Sequence, residues 1–166
     1  MGAWGPNAFQ NDWALDWVGD LLESNNPSLI SRVFEQVLTH DETKEKYFLC
    51  ICIKRWQEQL PAALSAETLA AGEIVSAILG RPPKELPKAI KEWLDTKIWL
   101  PKTEVIEMAR QAVAKIHTSS ELKTFWEEGG GAHASPWHDA VADLERRLGQ
   151  VANTPARLTD PNGAET

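Results

Sequence analysis

Residues 2–23, GAWGPNAFQNDWALDWVGDLLE, decide how this chain is read. Gly2, Gly5 and Pro6 mark an extended, turn-like opening, because glycine tolerates positive φ and proline presets the φ of a turn. Asn11 and Asp12 are both of the residue types that cap helices. Beyond them Ala14, Trp17, Val18, Leu21 and Leu22 recur at the i, i+3, i+4, i+7 spacing of one buried helical face. The change near Asn11 from no period to a helical one places a first helix behind an extended N-terminal arm. Trp4 and Phe9 are large apolar groups in that arm. They are expected to plug it onto the core. Asp12, Asp16, Asp20 and Glu23 form a second, acidic stripe at helical spacing.

Working outward, the same signals recur. Asn26 and Pro27 are a cap and a first position, ahead of Leu29, Ile30, Val33, Phe34, Val37 and Leu38. His40 and Asp41 close this second helix. The apolar run Tyr47–Ile53 (YFLCICI) suits a strand or a buried helix. Its charged flanks, TKEK before and KRWQEQ after, favour a central buried helix. Ser65 is expected to cap ETLAAGEIVSAILG, where Ala71, Gly72 and Ser76 allow close helix packing and Gly80 is the stop. RPPKELP at 81–87 is a stiff connector. A short helix opens at Pro87 with Ile90, Trp93 and Leu94, and another runs from Thr103 to His117. Thr118 and Glu121 read as a capping box before Leu122, Phe125 and Trp126. After the glycines at 129–131, Ser135 and Pro136 start a last helix with Trp137, Val141, Leu144 and Leu148 inward. The expected fold is all-α: one compact domain over residues 1–150, of seven or eight helices with an extended N-terminal arm. Residues 151–166 are polar with two prolines and are expected to form a disordered tail.

Composition narrows the function classes. The chain has 166 residues and a net charge of −7, and one domain is the ordinary outcome at that length. Residues 1–43 carry seven acids against one base, residues 44–117 nine against twelve, and residues 118–166 eight against four. An acidic front disfavours nucleic acid and anionic membrane as partners and suits a basic protein. No apolar run approaches the roughly 20 residues that span a bilayer. No basic-then-apolar leader is present, and Pro6 speaks against N-myristoylation. Cys50 and Cys52, two apart, are neither a disulfide scaffold nor a zinc set. Two buried thiols in a reducing cytoplasm are the expectation.

The acidic stripe is the first candidate site. Like charges at i, i+4 repel by roughly 0.2–0.5 kcal/mol per pair. The helix dipole offsets this for Asp12 and partly for Asp16, but not for Asp20 and Glu23. Something cationic is expected opposite them. Arg81, Lys84, Lys88 and Lys91 are the intramolecular candidates, and a basic partner protein such as a toxin is the intermolecular one. A divalent ion would need further oxygen ligands that the spacing does not supply. Trp99, in KIWLPK between helices, is the best candidate for an exposed aromatic anchor. His133 and His138, with Asp139 and Glu128 near, are candidates for metal or acid–base work. Their spacing matches no ligand rule, and no GxxxxGK[ST], GxSxG, HExxH or paired CxxC occurs. No catalytic residue, metal ligand or cofactor is therefore assigned. The expected function is a non-catalytic protein-binding module, of immunity (antitoxin) type, whose site residues are Asp12, Asp16, Asp20, Glu23 and Trp99. The alternative is a hydrolase or metal-dependent enzyme using carboxylates with His133 and His138.

The opening segment also resembles a known bacterial family, the domain of unknown function numbered 4259. Its members begin with Gly-x-Trp-Gly, an aromatic, Asn-Asp and Ala-x-Asp. These fall here on Gly2, Trp4, Gly5, Phe9, Asn11, Asp12, Ala14 and Asp16. LAAGEIVSAILGRP at 69–82, ELPKAIKEW at 85–93 and SSELKTFWEE at 119–128, followed by Trp137, are similar too. The segment from Thr43 to Leu64 is longer than is usual in the family. The resemblance implies a small cytoplasmic bacterial protein, all-α, with no established activity and no residue roles to carry over.

Overall fold

The computed structural model describes residues 2–40, 43–45, 55–57, 59–96, 99–129 and 134–152. Seven helices lie among them: α1 (Asp12–Ser24), α2 (Ser28–Thr39), α3 (Ala62–Ile78), α4 (Lys88–Thr96), α5 (Thr103–Thr118), α6 (Glu121–Glu128) and α7 (Ala134–Ala152). The all-α reading holds, with one small addition. Thr43–Glu45 (β1) and Arg55–Gln57 (β2) pair as a short antiparallel ribbon, Lys44 opposite Trp56. The charged flanks of the apolar run, read as helical, are thus extended where the structure describes them. Backbone pairing overrode the good helix propensity of their Lys, Glu, Arg and Gln residues. Tyr47–Ile53 itself, the two cysteines, His133 and the tail beyond 152 lie outside the described residues.

The central helix is α3, which packs against α1, α2, α5, α6 and α7. From Ser65 to Ser76 only Glu67 is not buried. Such a helix needs small side chains so that neighbours can approach from all round. A Cβ on Gly72 would stand 3.2 Å from both Leu144 Cδ2 and Val113 Cγ2, so α5 and α7 close directly over that glycine. Gly80, at φ 80°, ends the helix region in a left-handed turn. There Gly80 N donates to Ala77 O at 3.0 Å and Arg81 N to Ser76 O at 2.9 Å, the paired bonds of a Schellman stop. The apolar faces read from the other helices are the ones buried: Ala14, Val18 and Leu21; Ile30, Val33, Phe34 and Val37; Ala109, Ala112, Val113 and Ile116; Trp137, Val141, Leu144 and Leu148.

Helix ends follow local chemistry, with α2 and α4 each starting one residue after the expected Pro27 and Pro87 and three further shifts. Asn11 caps α1 by accepting from Trp13 N at 3.0 Å, as its residue type implies. Helix α3 begins at Ala62, three residues ahead of Ser65. The Ser65 hydroxyl instead donates to Pro61 O at 2.9 Å. The cap of α6 is Ser120, accepting from Lys123 N at 3.0 Å, while Thr118 closes α5. Glu121, freed from a capping box, accepts from Ala62 N at 3.0 Å and so caps α3 from a distance in sequence. Helix α7 starts at Ala134, just before Ser135.

The arm folds back on the start of α1. Ala3 bridges Asn11 in antiparallel sense, Asp12 N donates to Gly2 O at 3.1 Å, and Gly2 N donates to Asp12 Oδ2 at 2.9 Å. Phe9 is buried and plugs the arm, as expected. Trp4 does not, being 58% exposed. The tight reversal explains this. Trp4 N is tied to Gln10 O at 3.1 Å, and the chain between them closes over Gly5, where a Cβ would strike the Gln10 side chain. One loop of that size turns one large side chain inward.

Candidate functional site

On α1 the exposed residues Leu15, Asp16, Gly19, Asp20 and Glu23 form one continuous outer face. Asp12 stands apart, half-buried and bonded to the arm. Among the described residues no ion pair reaches Asp16, Asp20 or Glu23. Two of the expected intramolecular cations go elsewhere. Arg81 donates to Arg147 O at 3.4 Å and to Gln150 Oε1 at 3.2 Å, and Lys88 pairs with Glu92 at 3.3 Å. The opposite happens at the α1–α3 seam, where burial and then the Asp20 charge push the Glu67 carboxyl above its usual range. Glu67 thus belongs to the acidic patch. Linear spacing did not place it there, because it arrives from another helix.

Trp99 is half-buried against the core. With Ile78, Trp93 and Leu94 it lines a cavity of about 360 Å³. Its neighbour Leu100, 62% exposed, is the side chain that faces outward. Trp93 is held by donating its indole Nε1–H to Asn25 Oδ1 at 3.2 Å, and Asn25 ends α1 at φ 56°.

A second polar centre lies at a cavity of about 470 Å³ between the arm, α3, the 81–87 connector and α7. Arg147 is buried there beside Glu73. Its Nη1 and Nη2 donate to the two Glu73 oxygens, each at 2.7 Å, and its Nε donates to Asp143 at 2.7 Å. Nη1 also reaches Ser76 Oγ at 3.0 Å and Arg81 O at 3.1 Å. Burial pushes the Glu73 carboxyl up, against the pull of Arg147. Burial works against the Arg147 charge, but Glu73 and Asp143 outweigh it and hold the guanidinium protonated. Burial also raises Asp143, and Arg146 and Arg147 overcome it to hold that carboxyl below its usual range. Every donor of Arg147 that points inward is matched by the chain's own acceptors. The cluster is a fastener between α3, the connector and α7.

His138 does converge with other titratable groups, although not with Asp139 or Glu128. His117 Nε2 lies 3.0 Å from His138 Nδ1. His117 Nδ1 is 3.1 Å from Glu145 Oε2, and His138 Nε2 is 3.4 Å from Glu127 Oε1. All four ring nitrogens therefore face protein groups, and none is directed at an open cavity. Among the described residues no group of three His, Cys, Asp or Glu side chains is arranged to hold a metal ion. Nor is any helix there long and apolar enough to cross a membrane. His117 was not singled out from the sequence, since a histidine on the last turn of a helix carries no signal of its partner 21 residues on.

A family model described as "Domain of unknown function (DUF4259)" matches residues 2–140. Neither the curated proteins nor the solved structures contain a match. The chain belongs to the DUF4259 family.

Proposed function

We propose that this family member is a non-catalytic protein-binding module that offers the outer face of α1 to a basic protein. An immunity-type protein covering a toxin in the bacterial cytoplasm is the concrete form of that reading. One observation carries it: Asp16, Asp20 and Glu23 stand exposed without an ion pair among the described residues, and Asp20 bears on Glu67 as well. A cationic surface laid on this face would relieve like-charge repulsion and steer the encounter. Leu15, 38% exposed at the edge of the same face, offers an apolar contact beside the carboxylates. The test is capture from the native host with the full chain as bait, followed by association kinetics with the recovered protein. Asp20→Lys with Glu23→Lys should slow association about tenfold or more at low salt and much less at high salt. Recovery of no protein partner, or unchanged binding after charge reversal, overturns the reading.

A further inference from the structure

The cavity of about 360 Å³ lined by Trp99 lies where two helices end. Ile78 is the last residue of α3, and Leu94 and Asp95 are in the last turn of α4. A helix C-terminus carries a partial negative charge, and neither of these last turns contains a basic residue. Asp95 adds a full charge. It is exposed, and among the described residues no hydrogen bond or ion pair engages its carboxylate. Among the described residues that line the cavity, Asp95 is the one charged side chain; the others are aliphatic, apart from the indoles of Trp93 and Trp99. Lys88, further back on α4, is paired with Glu92 at 3.3 Å, and neither lines the cavity.

The two indoles are open to a ligand as well. Trp93 donates its Nε1–H to Asn25 Oδ1 at 3.2 Å, so what it offers the cavity is its ring. Among the described residues no aromatic ring and no Lys or Arg is set against either indole. An indole face attracts cations within about 6 Å of its centroid. Ligand classes can now be compared. An anion would meet Asp95 and two negative helix ends. A small inorganic cation would find one carboxylate among apolar walls, too few oxygens to replace its water. A neutral apolar molecule would crowd water from Asp95 and give no counter-charge in return. An organic ammonium ion meets every demand: its charge goes to Asp95 and the rings, and its alkyl groups go to Ile78, Leu94 and Leu100.

We propose that this cavity is a binding site for a small organic ammonium ion, held by Asp95 and the Trp93 and Trp99 rings at the ends of α3 and α4. Choline is the probe. Dimethylbutanol, which carries a carbon in place of the nitrogen, is its neutral control. With ¹⁵N-labelled tryptophan the full chain gives one indole signal for each of its eight tryptophans, and Trp93→Phe and Trp99→Phe assign two of them. At fixed ionic strength choline should move the Trp93 and Trp99 signals and leave the others in place. Dimethylbutanol should bind about tenfold more weakly, the difference that cation–π contacts and one charge make. Asp95→Asn should weaken choline about two- to fivefold, the range for an exposed charge pair, and leave dimethylbutanol unchanged. Asp95 is exposed and Trp99 half-buried, so those two variants carry the test even if Trp93→Phe does not fold. A Trp99 signal that choline does not move, all the indole signals moving together, or equal binding of dimethylbutanol overturns the assignment. So does an Asp95→Asn variant that binds choline as wild type does.

Discussion

Arg147→Leu tests how the centre of the molecule is held. Arg147 is 7% exposed, as is Glu73. Both Glu73 oxygens accept from it at 2.7 Å. Leucine fills much of the stem's volume but leaves a buried carboxylate without its cation. Breaking a buried pair from one side costs about 3–5 kcal/mol, a large part of an ordinary domain's stability. The loss should depend on pH. Burial already pushes Glu73 above its ordinary 4.5, and Arg147 is what opposes that. Without Arg147 the folded-state value rises further. A carboxyl with a raised folded-state value binds more protons folded than unfolded, so stability falls as pH climbs from 4.5 through that value. The slope reaches about 1.4 kcal/mol per pH unit. The variant should lie nearest to wild type around its most acid stable pH and farthest at neutrality. Glu73→Leu combined with Arg147→Leu should recover most of the loss, since an apolar pair needs no counter-charge. Urea unfolding followed by tryptophan fluorescence, repeated across pH, measures all three proteins. A loss below about 1 kcal/mol at neutral pH, a loss that does not grow with pH, or a double variant no better than the single refutes the reasoning.

Two further outcomes follow from packing and capping. Gly72→Val should destabilise by about 1–3 kcal/mol, because Leu144 and Val113 already close over the missing Cβ. Gly72→Ala should come out near zero, the helix-propensity gain of about 1 kcal/mol offsetting the tighter contact; urea unfolding separates the two. Ser120→Ala should cost about 1–2 kcal/mol, since that buried hydroxyl caps α6 and also donates to Ile116 O at 2.9 Å. Circular dichroism during thermal unfolding checks it.

What could be read beforehand was whatever is encoded within a turn or two of helix. The apolar stripes of α1, α2, α5 and α7 lie at fixed spacing, so the middle of each buried face was correct, while residues at the edges such as Trp17, Leu22, Leu29 and Leu38 are only half-buried. The caps were less secure, because neighbouring candidates compete. Thr118 and Ser120 both precede Glu121, and the choice between them is settled by where Leu60 passes: Glu121 N donates to Leu60 O at 2.9 Å. The polar centres were not readable at all. Glu73 and Arg147 are 74 apart in sequence and His117 and Glu145 28 apart, so nothing local marks them as pairs. The acidic stripe shows both cases at once. Its spacing on α1 was evident, but its extension to Glu67 needed the packing of α1 on α3.

Among the described residues α3 is the helix that α1, α2, α5, α6 and α7 all pack against, and large apolar side chains are not what it is mainly built from. Its interior is mostly Ala, Gly, Ser and Thr. A helix touched from every side must first be thin, because each extra methylene pushes a neighbour outward. Its polar side chains carry little burial penalty, since each finds an acceptor nearby. The Thr68 hydroxyl donates to Leu64 O at 2.7 Å, and the Ser76 hydroxyl to Arg81 O at 2.6 Å. Glu73 is the exception that needs help from another helix, and Arg147 supplies it. The better sign of a central helix is therefore a long run of small residues bounded by good stops, with one charged residue whose partner must come from elsewhere. In ETLAAGEIVSAILG that residue is Glu73, because Glu67 reaches the edge of the helix and faces Asp20 instead.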